Sequence, residues 1–311
     1  VVRALDAMGA TPDVLFYLLP GNHDPLDASS VFRSETFIAR RPANVVVLDG
    51  EEPVDVGDGV RIVAAPWTSK KPLVDLVNQA ISDAPDFDGA TIVVGHGAVD
   101  VLSPDAAEPA LIRVADIESA IGNSQVQYVA LGDRHSTTDA GDTGRIWYSG
   151  APEPTSFTET DPGNALIVTL DGSDITIVPH RIARWEFRQL EFDLQSPEDI
   201  ESLNDGLASI DDKARTIVRL VLVGQLSLAD KARLDGVLEH HSDLFGSLNT
   251  WDRHTDLVVL PSDDDFGSLG LSGFGSDALD GLVSMANGEG EEAATAMDAL
   301  GLLYRLSGVL K

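Results

Sequence analysis

Three short apolar runs in this sequence stop in the same way: "YLLPGNHD", "TIVVGHGAVD" and "YVALGDRHST". In each, a run of Leu, Val or Ile meets a glycine, and side chains able to bind metal follow at once. They are Asn22, His23 and Asp24 in the first, His96 in the second, and Asp133 and His135 in the third. Runs this short, β-branched and bounded by turn residues read as strands. Parallel neighbours in one sheet bring their carboxyl ends to one edge, where ligand sites of α/β proteins lie. Glycine lets the backbone pack closely there. The pattern predicts an α/β fold whose three strand ends converge.

The rest of the chain fits that frame. With those three runs included, strands are expected at 14–20, 44–50, 61–67, 91–97, 128–132, 145–150, 165–172 and 174–180, with "LDGSDI" turning the last two into a hairpin. Helical spacing appears in "KPLVDLVNQAI" and "ADIESAIG", and the chain opens inside an apparent helix, "VVRALDAMG". Strands mixed with helices and closed by a hairpin predict a layered α/β sandwich over 1–183.

Near Arg184 the pattern changes. A strand "WEFRQLEFDL", a helix opened by Ser196 and Pro197, a buried strand "TIVRLVLVGQL", a helix opened by Ser227, and "DLVVLP" make a small β-α-β-α-β module over 184–262. The segment 263–311 holds an Asp/Gly/Ser-rich linker and two helices. The last of these places Met297, Leu300, Leu303, Tyr304 and Leu306 on one apolar stripe. His240 and His241 lie at a helix end and read as surface residues.

Composition removes several classes of function. There is no cysteine, so disulfides, thiolate nucleophiles and Cys-type zinc sites are excluded. No apolar run approaches the roughly 20 residues that span a bilayer, and no signal segment opens the sequence, so a cytoplasmic setting is expected. The net charge of −30 argues against gripping nucleic acid over the whole surface.

The residue types at the three strand ends suit metal chemistry. Imidazole, carboxylate and amide oxygen form a hard-to-borderline set for Mn, Fe or Zn, with Mg less favoured beside several histidines. Two such ions clamp a phosphoryl group and acidify a bound water. His23 is placed to serve a leaving oxygen, with Asp24 fixing its tautomer. Asp133 reads either as an oxygen ligand or as a hydrogen-bonding turn carboxylate.

"GNHD", "GHG" and the late "GDRH" resemble the third, fourth and fifth signatures of calcineurin-like metallophosphoesterases. "IWYSGAPEPTSFTETDPGNALIVTLDG" is similar to the segment that follows the last metal motif in SbcD-type DNA-repair nucleases. The resemblance covers nearly the whole chain. It implies an α-β-β-α sandwich, a small α/β capping domain and carboxyl-terminal helices. It implies two divalent ions, Mn first, with Asn22 and His96 on one, His135 on the other, and His23 as the catalytic imidazole. It implies hydrolysis of DNA phosphodiesters, with DNA, an SbcC-type ATPase coiled coil and a second copy of the chain as partners, and no membrane.

There are two departures. Asp133 stands where the family has the first histidine of Gly-His-x-His. The family's Asp-x-His and Gly-Asp-x-x-Asp motifs precede "GNHD", and residues 1–20 contain neither. This chain alone is therefore expected to be inactive. The alternatives are the same chemistry on a small diester, which the acidic charge favours, and a non-catalytic architectural subunit, which the departures favour.

Overall fold

The computed structural model describes residues 2–103, 108–172, 174–260, 273–286, 288 and 290–306. The linker expected after residue 262 falls almost wholly outside them. So do the side chains of Met297, Tyr304 and Leu306. The chain divides into two compact units, Val1–Arg184 and Trp185–Lys311. Both are mixed α/β.

In the first unit α1 (Val2–Gly9) leads to β1 (Phe16–Leu18), α2 (Glu35–Arg40) and β2 (Val45–Val47). Then follow β3 (Val54–Gly57), β4 (Val60–Ala65), α3 (Leu76–Asp83), β5 (Ala90–His96), α4 (Val114–Gly122), β6 (Tyr128–Gly132), β7 (Thr138–Asp139) and β8 (Ile146–Tyr148). A hairpin of β9 (Asn164–Asp171) and β10 (Asp174–Arg181) completes it. Six of these strands form one sheet in the order β3-β4-β5-β6-β8-β7. Its four central strands are parallel, and the edge strands β3 and β7 are antiparallel to their neighbours.

Period-two alternation along β5 decides where its last residue goes. Val93 faces a core built with Val77 and Ile81 of α3 and Ile117 and Ile121 of α4. Ile92 and Val94 point the other way, into a second core with Tyr17, Leu19 and Leu48. His96 shares the parity of Ile92 and Val94, so it leaves the sheet on the side of Tyr17 and Leu19.

One expectation needs correction. The three strand ends do not belong to one sheet. β1 pairs in parallel with β2 in a separate two-stranded sheet. The edges of the large sheet are taken by the antiparallel β3 and β7. Tyr17 and Leu19 pack toward Ile62, Ile92 and Val94, while Phe16 and Leu18 pack with Leu5, Met8, Phe32 and Phe37. A strand whose side chains pack onto the face of the large sheet lies over it and does not extend it.

The second unit is an all-parallel sheet with helices. Its elements are β11 (Glu186–Leu194), α5 (Pro197–Ala208), β12 (Thr216–Ser227), α6 (Leu228–Ser242), β13 (Ser247–Thr250), β14 (Asp256–Leu260), α7 (Phe274–Ala286) and α8 (Glu291–Leu306). The long central β12 pairs with β11, with β13 near its start and with β14 near its end. Leu300 of α8 and Leu279 of α7 are buried with Leu228 and Ala232 of α6.

Both capped starts form. The Ser227 hydroxyl accepts the Asp230 N–H at 3.1 Å and donates to the Asp230 carboxylate at 2.7 Å. Ser227→Ala leaves that N–H unpaired at the head of α6, on which α7 and α8 rest. It is expected to lower the stability of this unit by about 1 kcal/mol in urea unfolding.

His241 departs from its expected surface position: it is 2% exposed. Its Nε2 meets Asn204 Oδ1 at 2.9 Å, and its Nδ1 is buried with no hydrogen-bond partner among the described residues. Burial, then the charges of His240 and Lys213, hold its pKa below the ordinary value. A histidine with a depressed folded pKa binds its proton more readily once unfolded. Its stabilising contribution is therefore complete above the unfolded pKa of about 6.5 and is lost as pH falls from there through the folded value. Melting of this unit is expected to weaken over that interval, and His241→Gln is expected to flatten the dependence. Thermal scans at half-unit pH steps measure both.

Candidate metal and catalytic centre

The "PGNHD" loop follows β1 and is pinned across to the end of β4. Trp67 N–H donates to the Pro20 carbonyl at 3.0 Å, and Leu26 N–H to the Trp67 carbonyl at 2.7 Å. β5 and β6 end side by side, with His96 opposite Gly132. The loop therefore arrives on the face of the sheet from which His96 projects.

Asn22, His96 and Asp133 meet there. Asn22 Nδ2 donates to Asp133 Oδ1 at 3.0 Å, across 111 residues of sequence. His96 Nε2 lies 3.1 Å from Asn22 Oδ1 and 3.5 Å from Asp133 Oδ1. Both neighbours of Nε2 are acceptors, so this arrangement requires the proton on Nε2.

Two motif glycines wall the ring. A Cβ on Gly21 would sit 2.8 Å from His96 Cε1, and one on Gly132 would sit 2.8 Å from His96 Nδ1. On the sheet side Trp67 Nε1 donates to the His96 carbonyl at 2.6 Å, with its ring edge-on to the imidazole. The buried Tyr148 hydroxyl donates to the next carbonyl, Gly97, at 2.6 Å. Burial, together with the Asp133 charge, raises its pKa.

Asp133 occupies a left-handed backbone conformation, φ 104°, which side chains seldom adopt. Such strain is held where the surroundings over-determine it. Its hydrogen bond with His96 is the chief influence lowering the carboxyl pKa. Partial burial opposes this, while the charges of His96 and His135 and the bond from Asn22 assist.

The donor set can be tested against a divalent ion. Ligand bonds of about 2.1 Å place neighbouring donors roughly 3.0–3.4 Å apart around the ion. The Asn22–His96 separation of 3.1 Å lies within that range, and the His96–Asp133 separation of 3.5 Å lies just beyond it. An amide oxygen, an imidazole and a carboxylate suit Mn, Fe or Zn. Among the described residues no three His, Cys, Asp or Glu side chains form a ready metal cage, because the third member of this group is an amide.

The other expected site residues stand outside the trio. His23 is exposed and has no hydrogen-bond partner among the described residues. Asp24 does not hold His23. Its Oδ1 accepts the Gly21 N–H at 2.9 Å and closes the turn, because a carboxylate three residues on reaches that N–H without strain.

His135 turns toward the "YSGAPEPTSFTE" segment. Its Nδ1 lies 2.8 Å from Thr155 Oγ1 and 2.9 Å from Glu159 Oε1. Burial pushes the Glu159 carboxyl up, but bonds from the Thr155 hydroxyl and N–H, His135 and the Ser156 N–H hold it below its ordinary value.

Sequence reasoning did not single out Trp67, Tyr148, Thr155 or Glu159. Trp67 and Tyr148 carried a usable signal, since each is an aromatic with a polar tip at the carboxyl end of a strand. No protein-family model matches this chain, and no curated protein shows a significant match to it.

Proposed function

We propose that this chain is a calcineurin-like metallophosphoesterase of the SbcD type, hydrolysing DNA phosphodiesters with divalent ions in DNA repair. The observation that carries the reading is the meeting of Asn22, His96 and Asp133, from three separate strand ends, around a ring walled by two motif glycines. The cores on both faces of the six-stranded sheet support an α-β-β-α sandwich. In this reading residues 184–262 are the capping domain, and the carboxyl-terminal helices α7 and α8 are the docking element for an SbcC-type ATPase.

Asn22, His96 and Asp133 hold one ion, Mn²⁺ by preference, and His135 contributes to a second. A bound ion supplies charge stabilisation at phosphoryl oxygens and an acidified water. His23, exposed and one residue beyond Asn22, delivers a proton to the leaving oxygen. Trp67 and Tyr148 fix the backbone at His96 and Gly97, which sets the direction of the imidazole. Asp24 closes the turn that carries Asn22 and His23.

The test has two arms. Calorimetry and elemental analysis of the chain are expected to find bound Mn²⁺, and an absence of binding sinks the reading. With an Asp-x-His and Gly-Asp-x-x-Asp segment joined ahead of residue 1, Mn²⁺-dependent cleavage of linear DNA is expected. The net charge of −30 favours a second substrate class, a small diester. Hydrolysis of bis-nitrophenyl phosphate without DNA cleavage selects that class. DNA affinity that falls steeply with salt selects the first.

A further inference from the structure

The "YSGAPEPTSFTE" segment has a role that the metal reading of Asn22, His96 and Asp133 does not use. It wraps around the backbone of residues 135–137. Ala151 N–H donates to the His135 carbonyl at 2.9 Å, Thr160 N–H to Ser136 Oγ at 3.1 Å, and Thr137 N–H to the Asp161 carbonyl at 2.8 Å. This packing buries one carboxylate against an exposed ring. The Glu159 side chain is 7% exposed and that of His135 is 55% exposed.

A buried carboxylate is costly unless its oxygens are satisfied. Those of Glu159 are. Oε2 accepts the Thr155 N–H at 2.9 Å, and Oε1 accepts the Thr155 hydroxyl at 2.5 Å and lies 2.9 Å from His135 Nδ1. An ionised carboxylate only accepts, so the proton between Glu159 and the ring belongs to Nδ1. Thr155 has spent its hydroxyl proton on Glu159, so toward Nδ1 its oxygen can also only accept.

We propose that Glu159 is a positioning residue, holding His135 in the tautomer that carries its proton on Nδ1 and leaves the Nε2 lone pair free. This deepens the metal reading and rests on it for the use made of Nε2. A carboxylate behind a ligating imidazole fixes its tautomer and direction and raises its basicity. Thr155 assists by orienting the carboxylate. The neighbouring acid of the segment, Glu153, is committed elsewhere, to the Arg184 N–H at 2.9 Å.

Long-range ¹H–¹⁵N spectra read the tautomer directly in the metal-free chain at about pH 8.5, where ordinary imidazoles are neutral. His135, assigned by the signals missing in His135→Gln, is expected to show a protonated Nδ1 and a bare Nε2. Glu159→Gln offers an amide donor to Nδ1. It is expected to move the ring to the Nε2-protonated tautomer and, in the chain extended by the Asp-x-His and Gly-Asp-x-x-Asp segment, to weaken binding of the second Mn²⁺ about 10- to 100-fold. Glu159→Asp keeps an acceptor-only group and is expected to retain the Nδ1-protonated ring. Backbone spectra that superpose on the unsubstituted chain show that both variants are folded.

A wild-type ring protonated on Nε2 overturns the proposal. So does a tautomer indifferent to Glu159→Gln, or a second-site Mn²⁺ affinity in the extended chain unchanged once the tautomer has switched. If the wild type binds no Mn²⁺ while the tautomer still follows Glu159, the metal reading falls and the positioning role stands.

Discussion

His96→Ala is expected to abolish Mn²⁺ binding, with the dissociation constant rising at least about 100-fold. Loss of a group that merely orients a ligand already costs about 10- to 100-fold, and His96 supplies the donor itself. Its Nε2 is the atom shared by the two contacts that define the centre, at 3.1 Å to Asn22 and 3.5 Å to Asp133. A sharper version keeps the histidine. Gly21 has an ordinary backbone conformation, so alanine there meets no backbone penalty. Its Cβ would nevertheless lie 2.8 Å from the imidazole. Gly21→Ala is expected to reproduce most of the loss by displacing the ring, with a small change in unfolding free energy. Isothermal titration with Mn²⁺ on both variants, beside urea unfolding, separates the two effects. Full affinity in Gly21→Ala would show that the ring position does not govern the site.

A large stability effect is expected at Gly150, in the "YSG" of the segment that wraps residues 135–137. Its φ of 82° is left-handed, and a Cβ there would lie 2.8 Å from the His135 carbonyl oxygen and 2.9 Å from the Thr137 nitrogen. Those are backbone atoms, which cannot swing aside as a flexible side chain can. Conformational strain of about 1–2 kcal/mol adds to overpacking of about 1–3 kcal/mol. Gly150→Ala is therefore expected to cost about 2–5 kcal/mol. Gly172 is the control. Its φ is 61°, but among the described residues nothing lies within 4 Å of an added Cβ, so Gly172→Ala carries the strain alone. Equilibrium urea unfolding of the two variants gives the difference. Equal costs would mean that the contact with the His135 backbone is soft.

Local structure was largely legible in the sequence because local physics decides it. The β-branched runs became strands, Ser196 and Ser227 capped their helices, and "LDGSDI" closed its hairpin. Elements with weak local signals were not legible. The strand Ser247–Thr250 is a short polar stretch, and it exists because β12 offers it a free edge. Helix Glu35–Arg40 is six residues long and is held by the packing of Phe37 with Leu5 and Val45.

The candidate centre divides in the same way. The sequence by itself determined that three strands end in glycine followed by side chains able to bind metal, since chain order and strand period settle that. Tertiary structure alone decided which of those side chains meet. β1 joined a second sheet because Tyr17 and Leu19 pack onto the face of the large one. Asp24 turned to its own loop because the Gly21 N–H lies within its reach. Asn22 found Asp133 across 111 residues, and His135 found Glu159 across 24. A single sequence does not encode separations like these in any local pattern. They arise when two sheets are buried against each other and the alternation of β5 commits His96 to the face they share.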